Sequence, residues 1–98
     1  MKFWHASITH ESEHFVTTHL TEEGALRSAI FDIMDFMGLE DGEARMNRDQ
    51  DTELVTDHKV INKMSLDELR KWWPIYGEET WDNPYGYDVQ IVTSDLQA

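Results

Sequence analysis

Imidazole is the one side chain whose ordinary pKa lets it exchange a proton near neutral pH. Four of this chain's five histidines, His5, His10, His14 and His19, fall in its first twenty residues. If the two alternating stretches around them pair so that residue numbers sum to 24, His5 faces His19 across the strands while His10 and His14 flank the turn. Two facing imidazoles could begin a zinc site, but a structural zinc takes four ligands, and the others would have to come from distant parts of the chain. There is no cysteine, which excludes disulfides and thiolate zinc sites. The histidines are therefore expected to form a partly exposed polar face whose protonation reduces the negative charge. An oxygen-rich run, Asn47-x-Asp49-x-Asp51-x-Glu53, alternates like a calcium loop, yet Thr52 stands where that loop needs glycine and His58 where it needs glutamate. No metal or cofactor is expected. The chain also lacks a phosphate-cradling glycine loop, a nucleophile elbow and a Ser/His/Asp pattern. Acid pairs such as Glu78-Glu79 are expected to be too exposed to gain the raised pKa that acid–base catalysis requires. The reading is of a protein that is not an enzyme.

Carboxylates are the other chemically loaded set. Twenty acids against eight bases give a formal charge of −12 in 98 residues, and 13 of those acids lie between Glu11 and Asp57 against only Arg27, Arg45 and Arg48. Such a charge disfavours binding to nucleic acid or anionic membrane, both of which need cations facing phosphates, and favours a basic protein partner. It also exceeds the net charge of about 2–8 that solubility asks of a small domain. Carboxylates three or four residues apart on a helix lie about 5–6 Å from each other, a spacing comparable to that of successive phosphates on a nucleic-acid strand. Asp32 and Asp35 form such a pair, and Glu40, Asp41 and Glu43 extend it beyond the helix end. Phe31, framed by Arg27 and Asp35, has the make-up of an interface hot spot, unless the following loop or second helix folds over it. Of the aromatic group Trp72, Trp73, Tyr76, Trp81, Tyr85 and Tyr87, most are expected in the core. Tyr76, Trp81 and Tyr85 fall in a loop, where all three are candidates for partner contact.

These residues must be positioned by a small α+β domain. Residues 3–9 and 14–20 alternate as two hairpin strands, and the even pairing sum keeps Trp4, Ala6, Ile8, Val16 and Leu20 on one face. Thr21 caps a helix with Glu22 and Glu23 in its first turn; it runs to Met37 and stops at Gly38. Its stripe is Ala25, Leu26, Ala29, Ile30, Ile33, Phe36 and Met37, and Arg27, Ser28, Phe31, Asp32 and Asp35 lie outside it. Residues 39–53 read as an acidic loop or weak helix without core residues, and residues 54–63 fit either a helix or a short strand. Ser65 and Glu68 make a capping box, with Met64 stapled to Leu69, for a helix expected to end at Trp73 before Pro74. A last strand covers 87–93. The order predicts a three-stranded antiparallel sheet, the hairpin plus the last strand, with one main and one shorter helix on a single face. One domain, residues 1–98, is expected. Neither a signal peptide nor a membrane span is read, which makes a cytoplasmic protein the expectation.

The hairpin leading into Thr21-Glu22-Glu23-Gly24-Ala25, the Ser65-Leu66-Asp67-Glu68-Leu69 helix with its tryptophans and the closing strand together resemble the small acidic proteins of bacteriophages and other mobile elements. The resemblance covers most of the chain as an order of elements and a composition. That group includes anti-CRISPR and anti-restriction inhibitors, some of them acidic mimics of nucleic acid. It implies an inhibitor that sets Phe31, Asp32, Asp35, Glu40, Asp41 and Glu43 against the basic nucleic-acid channel of a host defence complex or nuclease. The alternative is an adaptor or regulatory protein that docks through aromatic surface, its acidity serving solubility.

Overall fold

The computed structural model describes residues 1–10, 13–47, 51–79 and 87–95. Strands β1 (Lys2–His10) and β2 (Glu13–His19) lead into helix α1 (Glu22–Phe36). A folded segment then leads to the short α2 (His58–Asn62), α3 (Leu66–Glu79) and strand β3 (Tyr87–Asp95). The sheet is antiparallel in the order β2-β1-β3, with the helices on one side, as predicted. Among the described residues no helix is long and apolar enough to cross a membrane.

The hairpin register differs from the predicted one. Trp4 pairs with His19, Ala6 with Thr17 and Ile8 with Phe15, a sum of 23, and the ladder runs to His10↔Glu13. Two residues then separate the strands, the commonest hairpin spacing. A slip of one residue turns every β2 side chain over. Phe15 and Thr17 now face α1, where Phe15 meets the Phe36 ring at 5.3 Å and Thr17 Oγ1 lies 3.2 Å from Ser28 Oγ. Val16 turns outward, 54% exposed. The even register was favoured for gathering apolar residues on one face. That consideration weighs little on an edge strand, which the helix covers only in part, and the short connection and Phe15 decide instead.

Helix α1 follows its sequence signals. Thr21 Oγ1 accepts from the Gly24 N–H at 3.0 Å, Met37 closes the C-terminal end and Gly38 adopts φ 71°. Ala25, Leu26, Ala29, Ile30, Ile33 and Met34 are buried. The buried band is wide because the sheet covers one side of α1 and α3 the other. Arg27 therefore lies inside the fold, its guanidinium donating to the carbonyls of Ile61 (3.2 Å) and Met64 (3.1 Å) at the end of α2.

The capping box of α3 forms as read: the Glu68 N–H donates to Ser65 Oγ and the Ser65 N–H to Glu68 Oε1, both at 3.2 Å. Met64 and Leu69 are buried together in the core cluster. The expected stop at Trp73 does not occur, because α3 carries Pro74 inside it. A proline in mid-helix costs about 3 kcal/mol. Tyr76, two residues on, is fully buried and donates its hydroxyl to the Val55 carbonyl. Burying an aromatic ring removes roughly 150–250 Å² from water, worth at most about 4–6 kcal/mol, enough to carry the helix past the break. Tyr76 is thus a core residue of α3, where the sequence had suggested a loop and a partner contact.

Candidate acidic interface

The segment between α1 and α2, of which residues 39–53 were expected to be an acidic loop or weak helix without core residues, is over its described residues a hydrogen-bonded ribbon. Leu39 is buried at its start and donates its N–H to Met34 O at 2.9 Å. Gly42, at φ 79°, donates to Thr56 O at 3.1 Å, and Leu54 donates to Arg45 O at 2.8 Å. Met46 and Glu53 form an antiparallel bridge, and Thr56 Oγ1 donates to Glu43 O at 2.5 Å. Asn47 closes the tip. Its Oδ1 accepts from the N–H groups of Asp51 (3.0 Å) and Thr52 (3.1 Å), while its Nδ2 donates to Asp51 Oδ1 at 2.7 Å. Buried Leu54 belongs to the core cluster, and Val55 packs against it. The alternating oxygens that suggested a calcium loop thus include an asparagine spent on its own backbone.

The exit of the ribbon is capped by its own acids. Asp41 Oδ1 accepts from the His58 N–H at 2.9 Å and Asp57 Oδ1 from the Lys59 N–H at 2.8 Å, which satisfies donors at the start of α2. His58 Nδ1 lies 4.0 Å from Asp41 Oδ2, and its ring meets Phe31 edge-on at 5.0 Å between centroids. Phe31 is consequently half-buried and packed on the core cluster, the arrangement in which the second helix folds over it.

The predicted interface residues therefore divide. Asp35, Glu40, Asp41 and Glu43 are exposed, and Asp51, Glu53 and Asp57 join them on the ribbon. In the sequence Asp51 and Glu53 were legible only as part of a broken calcium pattern, and Asp57 only as one of the thirteen central acids. Asp32 is set apart. It is half-buried; burial raises its carboxyl pKa above the usual value of 3.8, the charge of Asp35 adds to the rise, and a hydrogen bond from Ser28 opposes it. Ser28 in turn touches Thr17, and Thr17 Oγ1 lies 2.8 Å from His19 Nε2, so Asp32 belongs to a polar seam between α1 and β2. Trp81 and Tyr85 lie outside the described residues.

Two arginines of the helical layer neutralise none of the ribbon acids. Arg27 is held by backbone carbonyls. Arg70 makes a two-pronged pair with Glu22, Nε to Oε1 at 2.8 Å and a terminal nitrogen to Oε2 at 2.7 Å, and this holds the Glu22 carboxyl below its usual value of 4.5. The segment's own cations are Arg45 and Arg48, the latter outside the described residues.

The imidazoles are not assembled as predicted. His5 pairs with Thr18, not with His19, so His5 and His19 stand on opposite faces of the sheet. Among the described residues no three His, Cys, Asp or Glu side chains are placed to hold a metal ion. Comparison of the chain with family models, with curated proteins and with solved structures finds no match.

Proposed function

We propose that this protein is a non-enzymatic inhibitor of the phage type, anti-CRISPR or anti-restriction, that lays an acidic, DNA-mimicking face on the basic nucleic-acid-binding surface of a host complex or nuclease. The observation that carries the reading is the ribbon. Asp35, Glu40, Glu43, Asp51 and Glu53 are exposed on a backbone tied to the core by Leu39, Leu54 and the Asn47 clamp. Fixed charges meet a basic groove with less ordering cost than charges on a mobile tail. Complementary potentials make association fast and salt-sensitive. Asp41 also holds α2, and Asp32 and Phe31 serve the fold, so the contact is centred on Asp35, Glu40, Glu43 and Glu53.

The test is capture from host lysate on the immobilised protein at low and high salt, with duplex DNA as competitor. The reading expects a nucleic-acid-binding protein to be retained at low salt, released by DNA, and lost to a variant carrying Asp35→Lys, Glu40→Lys, Glu43→Lys and Glu53→Lys. Undiminished capture by that variant refutes the acidic site. Capture indifferent to both salt and DNA favours the adaptor that docks through aromatic surface.

A further inference from the structure

Leu39 and Leu54 fasten the ribbon to the core, and the turn over residues 40–43 adds nothing to that core: Glu40, Asp41, Gly42 and Glu43 are all exposed. Three neighbouring carboxylates repel one another, and ordering the backbone beneath them costs conformational entropy. A turn of this make-up would ordinarily be loose. This one is held at four points. The Glu43 N–H donates to Glu40 O and the Gly42 N–H to Thr56 O, both at 3.1 Å. Thr56 Oγ1 donates to Glu43 O at 2.5 Å, and Asp41 Oδ1 accepts from the His58 N–H at 2.9 Å.

Two of the four ties come from one residue. Thr56 is 5% exposed, and its carbonyl and hydroxyl grip consecutive residues of the turn, Gly42 and Glu43. The stretch that carries it is fixed in its turn: the Val55 carbonyl accepts from the Tyr76 hydroxyl, and the Leu54 N–H donates to Arg45 O at 2.8 Å. Gly42 supplies the φ of 79° that bends the chain back, a conformation L side chains rarely adopt. Asp41 is occupied by the start of α2, so the turn offers water the carboxylates of Glu40 and Glu43.

We infer that Thr56 is a positioning residue, which fixes the 40–43 turn so that Glu40 and Glu43 meet a cationic partner as a preorganised pair. The inference rests on the ribbon being the contact surface. Buried as it is, Thr56 touches no partner; it acts through Gly42 and Glu43. Carboxylates already fixed lose less freedom when they pair with arginine guanidinium groups. The hydroxyl carries this role, not the volume of the side chain. Valine fills the same space without the donor, while serine keeps the donor. Neither exchange alters the net charge, so attraction by charge alone is blind to both and only geometry registers the difference. The Glu43 carbonyl lies at the surface, where water can replace the lost hydroxyl, so the valine variant keeps its fold.

Calorimetric titration of the full chain with an octa-arginine peptide, at about 0.15 M salt, tests this. Thr56→Val should bind about three- to tenfold more weakly than the wild type, the loss expected when one or two side chains must be ordered on binding. Its circular dichroism should be unchanged, and its Gly42 amide should exchange faster. Thr56→Ser should stay within about twofold of the wild type. Gly42→Ala, strained in the same exposed turn, should weaken binding as Thr56→Val does. Wild-type affinity in Thr56→Val, or as large a loss in Thr56→Ser, overturns the positioning role and leaves the acidic contact standing. Should the valine variant not fold, wild-type affinity in Gly42→Ala has the same force. A wild-type chain that does not bind the peptide, or one matched by the variant with lysine at positions 35, 40, 43 and 53, overturns the acidic contact and the positioning role together.

Discussion

The ribbon of residues 40–57 and the outer sheet face are both rich in polar side chains, but they use them in opposite ways. On the ribbon, polar side chains bind backbone. Asn47, Asp41, Asp57 and Thr56 each satisfy main-chain groups, while other carboxylates remain in water. On the sheet the ladder already satisfies the backbone, so His5, Ser7, His14, Thr18 and Ser94 turn to one another. One surface is ordered and rich in carboxylates; the other is ordered and, among its described side chains, carries no carboxylate, lysine or arginine. Secondary structure thus determines whether a polar side chain is needed by the backbone.

The sharpest way to break the contrast is to cut the ribbon from the core. Leu54→Ala should cost about 2–5 kcal/mol, the range for emptying a buried leucine site, read as a lower urea midpoint. If the ribbon were decoration, the loss would be within about 0.5 kcal/mol, as for surface changes. Next comes Asn47→Ala, which orphans the N–H groups of Asp51 and Thr52 and should cost about 1–3 kcal/mol. Amide exchange should speed up at those two positions while the β1 amides keep their protection.

Two acids of α1 sharpen the comparison through pH. Asp32 has its pKa raised by burial, so its protonated form favours folding. That contribution is fully present below the unfolded value and is lost as pH rises through the raised folded value. Asp32→Asn should therefore stabilise the protein at neutral pH, by less than about 1 kcal/mol given partial solvent screening, with the gain vanishing below pH 3.8, the ordinary aspartate value. Glu22 has the opposite sign. Its pKa is lowered by Arg70, so its contribution is present above 4.5 and lost as pH falls through the depressed folded value. Glu22→Gln should lower the thermal midpoint at pH 7 and have no effect in acid. Equal pH profiles for the two variants would contradict these environments. Smallest of all, Val16→Thr should change monomer stability by no more than about 0.5 kcal/mol, since Val16 already faces solvent.

Local signals were legible wherever the responsible residues are neighbours in sequence. The Thr21 cap, the Gly38 stop and the Ser65/Glu68 box were read directly, because each depends on hydrogen bonds within one turn of chain. The α+β order followed from them. Three of the misreadings involve partners far apart. The hairpin slipped by one residue because Phe15 finds Phe36. Pro74 failed to end α3 because Tyr76 reaches Val55. Phe31, placed on the outside of α1 by periodicity, is covered by His58 from a helix too short to be read with certainty.

By itself the sequence determined the composition of the surface: −12 of charge, no thiols, acids concentrated before residue 58. It also determined the caps and breakers that divide the chain into elements. Only the tertiary structure decided which acids stand exposed, which hold a helix end or lie in a seam, and which sheet face turns away from the helices. The physical reason is range. Caps and charges act over a few residues or through composition alone, whereas burial depends on what the rest of the chain lays on top.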